Sequence, residues 1–181
     1  MNTIQIILTI VGILITALGV ITPLVLGVIQ LRKNYEWKKA MLAAELNRLW
    51  SEKTLIHRNI IEKQYGAYIH NVKTIDLPDC EDFANAVEGD DLFCIKMAVI
   101  SLMNYFEDIA VLYSSGMADR SMVEATLRKP MTRFYDKIKP LANCIEKVAE
   151  YPCWKPLDDL IAMWKQQDAQ REEGIKPKKF I

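Results

Sequence analysis

Asp90 to Gly116 reads DDLFCIKMAVISLMNYFEDIAVLYSSG. Asp90 or Asp91 caps its start, Gly116 closes it, and apolar residues fall on nearly every side between them, so the pattern predicts the central core helix of the fold. Asn104 and Glu107 lie one turn apart on this most apolar segment. A carboxylate carried into a core needs a partner, so the pair is expected as a buried polar clasp to a basic residue of another helix, with catalysis the competing role.

Working outward, nearly everything else also reads as helix. On the carboxyl side, Ser121 can cap a helix through Leu127. Pro130 opens another through Ile145, with Pro140 bending or dividing it, and Pro156 opens a last one through Trp164 to about Glu172. On the amino side, Thr74 to Gly89 reads as a connector holding at most one short helix, Asp79 to Val87. Before it, Val28 to Tyr65 contains neither Gly nor Pro. Its stripe of Leu42, Leu46, Leu49, Trp50, Ile56 and Ile60 predicts one long helix that breaks at Gly66. No alternating strand pattern competes and no repeat is found, so the fold class is all-α.

Met1 to Leu31 carries no charged side chain and is closed by Arg32 and Lys33. A bilayer core of about 30 Å needs roughly 20 helical residues, so the run is expected to be a transmembrane helix, continuing into a helical bundle. A secretory signal peptide is the rival, but basic residues at the amino end and a small-x-small cleavage site are missing. The expected organisation is a membrane helix over residues 1–31, a cytoplasmic helical domain over 32–173 and a basic tail over 174–181. Arg32, Lys33, Tyr35 and Trp37 would lie at the membrane interface, and the positive flank would leave the amino terminus outside, as in a single-pass protein of a bacterial inner membrane. Gln5, Thr9, Gly12, Thr16, Gly19 and Pro23 recur at spacings of four and three and share one stripe of the helix. That stripe has two readings: a helix-helix packing face, or the lining of a water-filled path in a ring of identical helices.

The chain has 23 basic and 23 acidic residues, so charge makes no general case for nucleic-acid binding. Locally the charges segregate. Arg32, Lys33, Lys38, Lys39, Arg48, Lys53 and Arg58 form a basic stretch suited to anionic headgroups or to a neighbour's acidic stretch, such as the one from Glu62 to Asp91. Cys80, Cys94, Cys144 and Cys153 show no paired spacing and are expected as reduced thiols. His57 and His70 sit at no metal-binding spacing, and there is no phosphate-cradling loop, nucleophile elbow or Cys-His pattern. The expectation is therefore a protein that is not an enzyme, with no catalytic residue, metal or cofactor.

The stretch Leu102 to Ala110, LMNYFEDIA, followed by Gly116, Pro140, Tyr151, Pro152 and Trp164, resembles a family of small bacterial helical proteins with one amino-terminal membrane helix. Coverage runs from the anchor to about Lys165, and Asn-Tyr-Phe-Glu is its specific core. Size and layout are similar to the membrane accessory proteins encoded beside the RNA-guided RNase of type VI-B CRISPR systems. The resemblance implies a homo-oligomeric membrane pore that strengthens antiviral defence and disturbs the membrane potential when triggered. Its partners would be copies of itself, the lipid bilayer and, functionally, the CRISPR RNase effector. A non-conducting membrane-tethered scaffold or phage-exclusion protein is the alternative, and an unusual RNase a third. The accessory group has been linked to the helical HEPN RNase superfamily, whose site is an Arg followed four to six residues later by His. No Arg stands at that distance before His57 or His70, so the resemblance implies an RNase-like fold without its active-site spacing.

Overall fold

The first helix extends well past the basic flank at Arg32 and Lys33, because nothing between Val28 and Glu52 interrupts it. The computed structural model describes residues 3–65 and 78–172, although the side chains of residues 3–15, 17, 18, 64, 65 and 91 lie outside the description. Among the described residues all regular structure is helical: α1 (Thr3–Glu52), α2 (Leu55–Tyr65), α3 (Cys80–Asn85), α4 (Asp91–Ser114), α5 (Arg120–Thr126), α6 (Arg128–Ala149) and α7 (Lys155–Glu172). The chain divides into two compact units, Met1–Met41 and Leu42–Ile181, so the boundary falls ten residues beyond the expected one at Leu31.

Among the described residues, no helix is long and apolar enough to cross a membrane. This corrects the expected amino-terminal transmembrane helix and, with it, the single-pass inner-membrane placement and the membrane and pore reading. The same helix carries Arg32, Lys33, Glu36, Lys38 and Lys39 without a break. Arg32, Lys33, Tyr35 and Trp37 are all exposed, and their assignment to a headgroup layer loses its basis. What remains of the expected fold class is all-α. The RNase-like variant of it is set aside, and the tail over 174–181 lies outside the described residues.

The second unit is built around α4, as its nearly uniform apolarity requires. Ile95, Val99, Leu102, Phe106, Ile109 and Ala110 are fully or almost fully buried and face residues from α1, α2, α3, α6 and α7. Trp50 anchors the amino-terminal side, its ring 5.5 Å from both Phe106 and Phe134. Trp164 anchors the other, edge-on to Tyr113 at 5.6 Å.

Two boundaries differ from expectation for local reasons. The long helix expected through Tyr65 stops at Glu52. Thr54 is buried, its hydroxyl donates to the Trp50 carbonyl, and its amide reaches back five residues to Leu49 at 3.2 Å. Arg58 then lies over the Trp50 ring at 4.2 Å and donates to the same carbonyl, which holds the turn that brings Ile61 of α2 into the core. This places Ile56 on the solvent side instead of in the expected apolar stripe. The second difference is the cap of α5. Asp119 accepts the Met122 amide at 3.0 Å, whereas the expected cap, Ser121, donates its hydroxyl to that same Asp119 carboxylate. By contrast, α3 begins where Asp79 predicts, its carboxylate accepting the amides of Glu81 and Asp82.

Cys80 and Cys144 are joined in a disulfide, with Cα atoms 4.9 Å apart and a sequence separation of 64. The expectation of four reduced thiols is corrected to this one bond and two free cysteines, Cys94 and Cys153. No short spacing announces the pair, because only the packing of α3 on α6 brings the two together.

Candidate functional site

The densest set of polar groups in the second unit gathers at the start of α7. A helix opens with amides that have no partner within it. At α7, Pro156 brings no N–H, the Asp158 amide donates to the Trp154 carbonyl, and other helices supply acceptors for two further amides. Glu107 of α4 accepts the Leu157 amide at 2.9 Å, Glu146 of α6 accepts the Trp154 amide at 3.3 Å, and Asn104 of α4 accepts the Trp154 indole N–H at 2.8 Å. Two carboxylates therefore stand at the positive end of the α7 dipole, where negative charge is favoured.

A second layer ties α6 to α7. Lys139 donates to Glu146 at 3.0 Å and to Asp158 at 2.8 Å, and the Tyr135 hydroxyl donates to the other Asp158 oxygen at 2.7 Å. Burial pulls the Lys139 ammonium downward, but its two carboxylate partners outweigh this and hold its pKa above the usual lysine value. The Tyr135 phenol is pushed up by burial and by the Asp158 carboxylate that accepts its proton, so at neutral pH it is a donor and not a phenolate.

Asn104 and Glu107 both hold partners at the head of α7, but not as the buried clasp to a basic residue that was expected. Asn104 is exposed and Glu107 half-buried, and their partners are an indole N–H and a backbone amide, not a basic side chain. Burial raises the Glu107 pKa. The Leu157 amide opposes this, and Asp158, Asp108 and Asp159 add to the rise. A carboxylate whose folded pKa lies above its unfolded value favours the folded state only as it takes up a proton. Between the ordinary Glu value and the raised one, stability therefore falls as pH rises. Glu107→Gln keeps the acceptor oxygen and removes that slope. The variant is expected to melt no lower than wild type at pH 7, with its advantage vanishing on acidification through this window. Thermal denaturation of both proteins from pH 4 to 8 checks it, and an advantage that grows toward low pH would contradict it.

Sequence reasoning missed Arg128. It is buried, donating to the Trp164 carbonyl at 2.6 Å, Asp168 at 2.7 Å and Gln167 at 3.0 Å, and so ties the start of α6 to the end of α7. Its one forewarning is position: an arginine next to the apolar Leu127, at the start of a strongly amphipathic helix.

Of the stripe on α1, Thr16 and Gly19 are exposed and Pro23 lies inside the helix, while the side chains of Gln5, Thr9 and Gly12 lie outside the described residues. A methyl group added at Gly19 or Gly27 would meet nothing within 4 Å. His57 is half-buried in α2 and His70 lies outside the described residues. Among the described residues no three His, Cys, Asp or Glu side chains gather closely enough to hold a metal ion.

Fold and site together define a chain whose regular structure, among the described residues, is all helical and whose main polar junction is engaged in holding α7. Residues 4–164 match the family described as a domain of unknown function (DUF4760), and the chain belongs to that family. No curated protein and no solved structure matches it.

Proposed function

We propose that this chain is a non-enzymatic, self-assembling accessory protein of antiviral defence, a scaffold that works through the contacts of α1 with other copies of itself. The observation that carries the reading is the surface of that helix. Val20, Ile21, Leu24, Val25, Leu26, Val28, Ile29 and Leu31 occupy all sides of it, each between 44% and 71% exposed. A helix apolar all round is a buried helix, and an isolated copy leaves this one in water.

Identical helices suit one another as cover. Gly19 and Gly27 leave room for close backbone approach. The basic stretch from Arg32 to Arg58 and the acidic stretch from Glu62 to Asp91 give one copy the charge complement of the next. The setting in defence, beside an RNA-guided RNase, rests on the resemblance carried by Asn104, Tyr105, Phe106 and Glu107. The non-enzymatic character rests on the polar junction, whose groups are engaged in holding α7.

Sedimentation of the full-length protein tests the assembly. The expected result is a particle several times the 20.8 kDa chain mass, reduced to a single chain by Leu24→Lys, Val28→Lys and Leu31→Lys together, with the same variant losing defence activity in cells. A wild-type monomer at micromolar concentration, or an assembly indifferent to the three lysines, would refute the reading. So would RNA cleavage by the purified, folded protein that His57→Ala or His70→Ala abolishes.

A further inference from the structure

We infer that the Cys80–Cys144 disulfide is a redox latch on α3, and that a dithiol reductant releases this helix from the bundle while the rest of the second unit stays folded. Three observations point there. First, α3 has six residues, far fewer than the roughly 12–15 an isolated helix needs, so it holds its shape only where it is attached. Second, apart from the disulfide its ties to the bundle are apolar packing and one hydrogen bond. Phe83 is fully buried, Ala84 and Ala86 are buried with it, and Lys96 of α4 donates to the Ala86 carbonyl at 2.9 Å, while Cys80 binds it covalently to α6. The Asp79 cap lies within the segment itself and ties it to nothing else. Third, the bond is lopsided: Cys144 is 1% exposed inside α6, while Cys80 is half-buried at the first position of α3.

The chemistry follows from that asymmetry. A thiolate of the dithiol attacks the more accessible Cys80 sulfur and forms a mixed disulfide, and the sulfur–sulfur bond breaks with its electron pair going to Cys144, which takes up a proton. The second thiol of the reductant then attacks the mixed disulfide, freeing Cys80 as a thiol and leaving the reductant as its own disulfide. Two electrons and two protons pass from the dithiol to the protein. What remains to hold α3 is the packing of Phe83, Ala84 and Ala86 and one lysine hydrogen bond. The bundle itself keeps α4, α6 and α7 joined through Leu102, Phe106, Ile138, Leu141, Leu157 and Trp164.

Hydrogen exchange of the full-length protein, with and without dithiothreitol, tests the latch alongside alkylation of native thiols. In the oxidised protein, Cys94 and Cys153 alone are expected to label. After reduction, Cys80 and Cys144 label as well and residues 79–87 lose their protection, whereas residues 98–112 and 157–170 stay protected. Cys80→Ser with Cys144→Ser should show the fast pattern with or without reductant. Labelling of Cys80 and Cys144 before reduction would overturn the inference, because no bond would exist to open. Unchanged protection of residues 79–87 after reduction would overturn it too, as would loss of protection over all helices together, which would make the bond a staple of the whole unit.

Discussion

Replacing Trp164 by alanine is expected to lower the unfolding free energy of the second unit by about 3–5 kcal/mol, the range for removing a fully buried large aromatic. Trp164 is completely enclosed. Its ring meets Tyr113 of α4 edge-on, and the Arg128 guanidinium of α6 lies 5.7 Å from its centre, so the loss opens a cavity where three helices meet. Trp164→Phe keeps an aromatic plane there and should lose clearly less. The partner substitution Arg128→Ala is expected to be non-additive with it, because guanidinium and indole share one contact and Arg128 also holds the Trp164 carbonyl. Denaturant titration of the two single variants and the double variant checks both statements. A Trp164→Ala midpoint within error of wild type, or strict additivity with Arg128→Ala, would contradict the packing described.

The second large effect belongs to the disulfide. A bond between residues 64 positions apart restricts the unfolded chain by about 4 kcal/mol on the loop-entropy relation, and on that relation reduction should lower the melting temperature by about 15 °C. Cys80→Ser and Cys144→Ser should each show nearly the whole loss, and the double variant little more, because either substitution breaks the same link. Cys94→Ser, at an exposed position of α4, serves as the control and should change stability by less than about 0.5 kcal/mol. Equal melting of oxidised and reduced protein would contradict the prediction. It concerns the whole unit, whereas the latch concerns which piece leaves first, and hydrogen exchange separates the two.

Much of the bundle was legible in the chain because its punctuation is local. Asp79, Asp90, Gly116, Pro130 and Pro156 mark helix ends through their own backbone or side-chain preferences, and each has a structural boundary within two residues of it. The apolarity of α4 likewise announced its central position. The features that were not legible depend on distant partners. The turn at Thr54 needs the Trp50 carbonyl and the Arg58 side chain together, in a stretch without Gly or Pro to mark it. The Cys80–Cys144 bond needs α3 laid against α6, and nothing in either cysteine's neighbours encodes that. For the polar pair, the helix and the one-turn spacing were right. Pattern alone could not say that Glu107 would find a backbone amide at the head of α7 instead of a cation. At the amino end, the uncharged run suggested a membrane span, and the helix it forms passes through Arg32 and Lys33 without ending.

The way α7 is held also sets a timetable. The amides of Leu157 and Trp154 at its head are held by Glu107 and Glu146, the Trp154 indole by Asn104, and its Trp164 fills the space between Tyr113 and Arg128. A chain emerging from the ribosome finishes α4 at Ser114 about 50 residues before Trp164 is added. At about 5–20 residues per second this is an interval of roughly 3–10 s. Through that interval the most apolar helix of the protein lacks α7, and for the first part of it α6 as well, and shielding Tyr113 and Leu102 from other nascent chains falls to whatever else is bound to them.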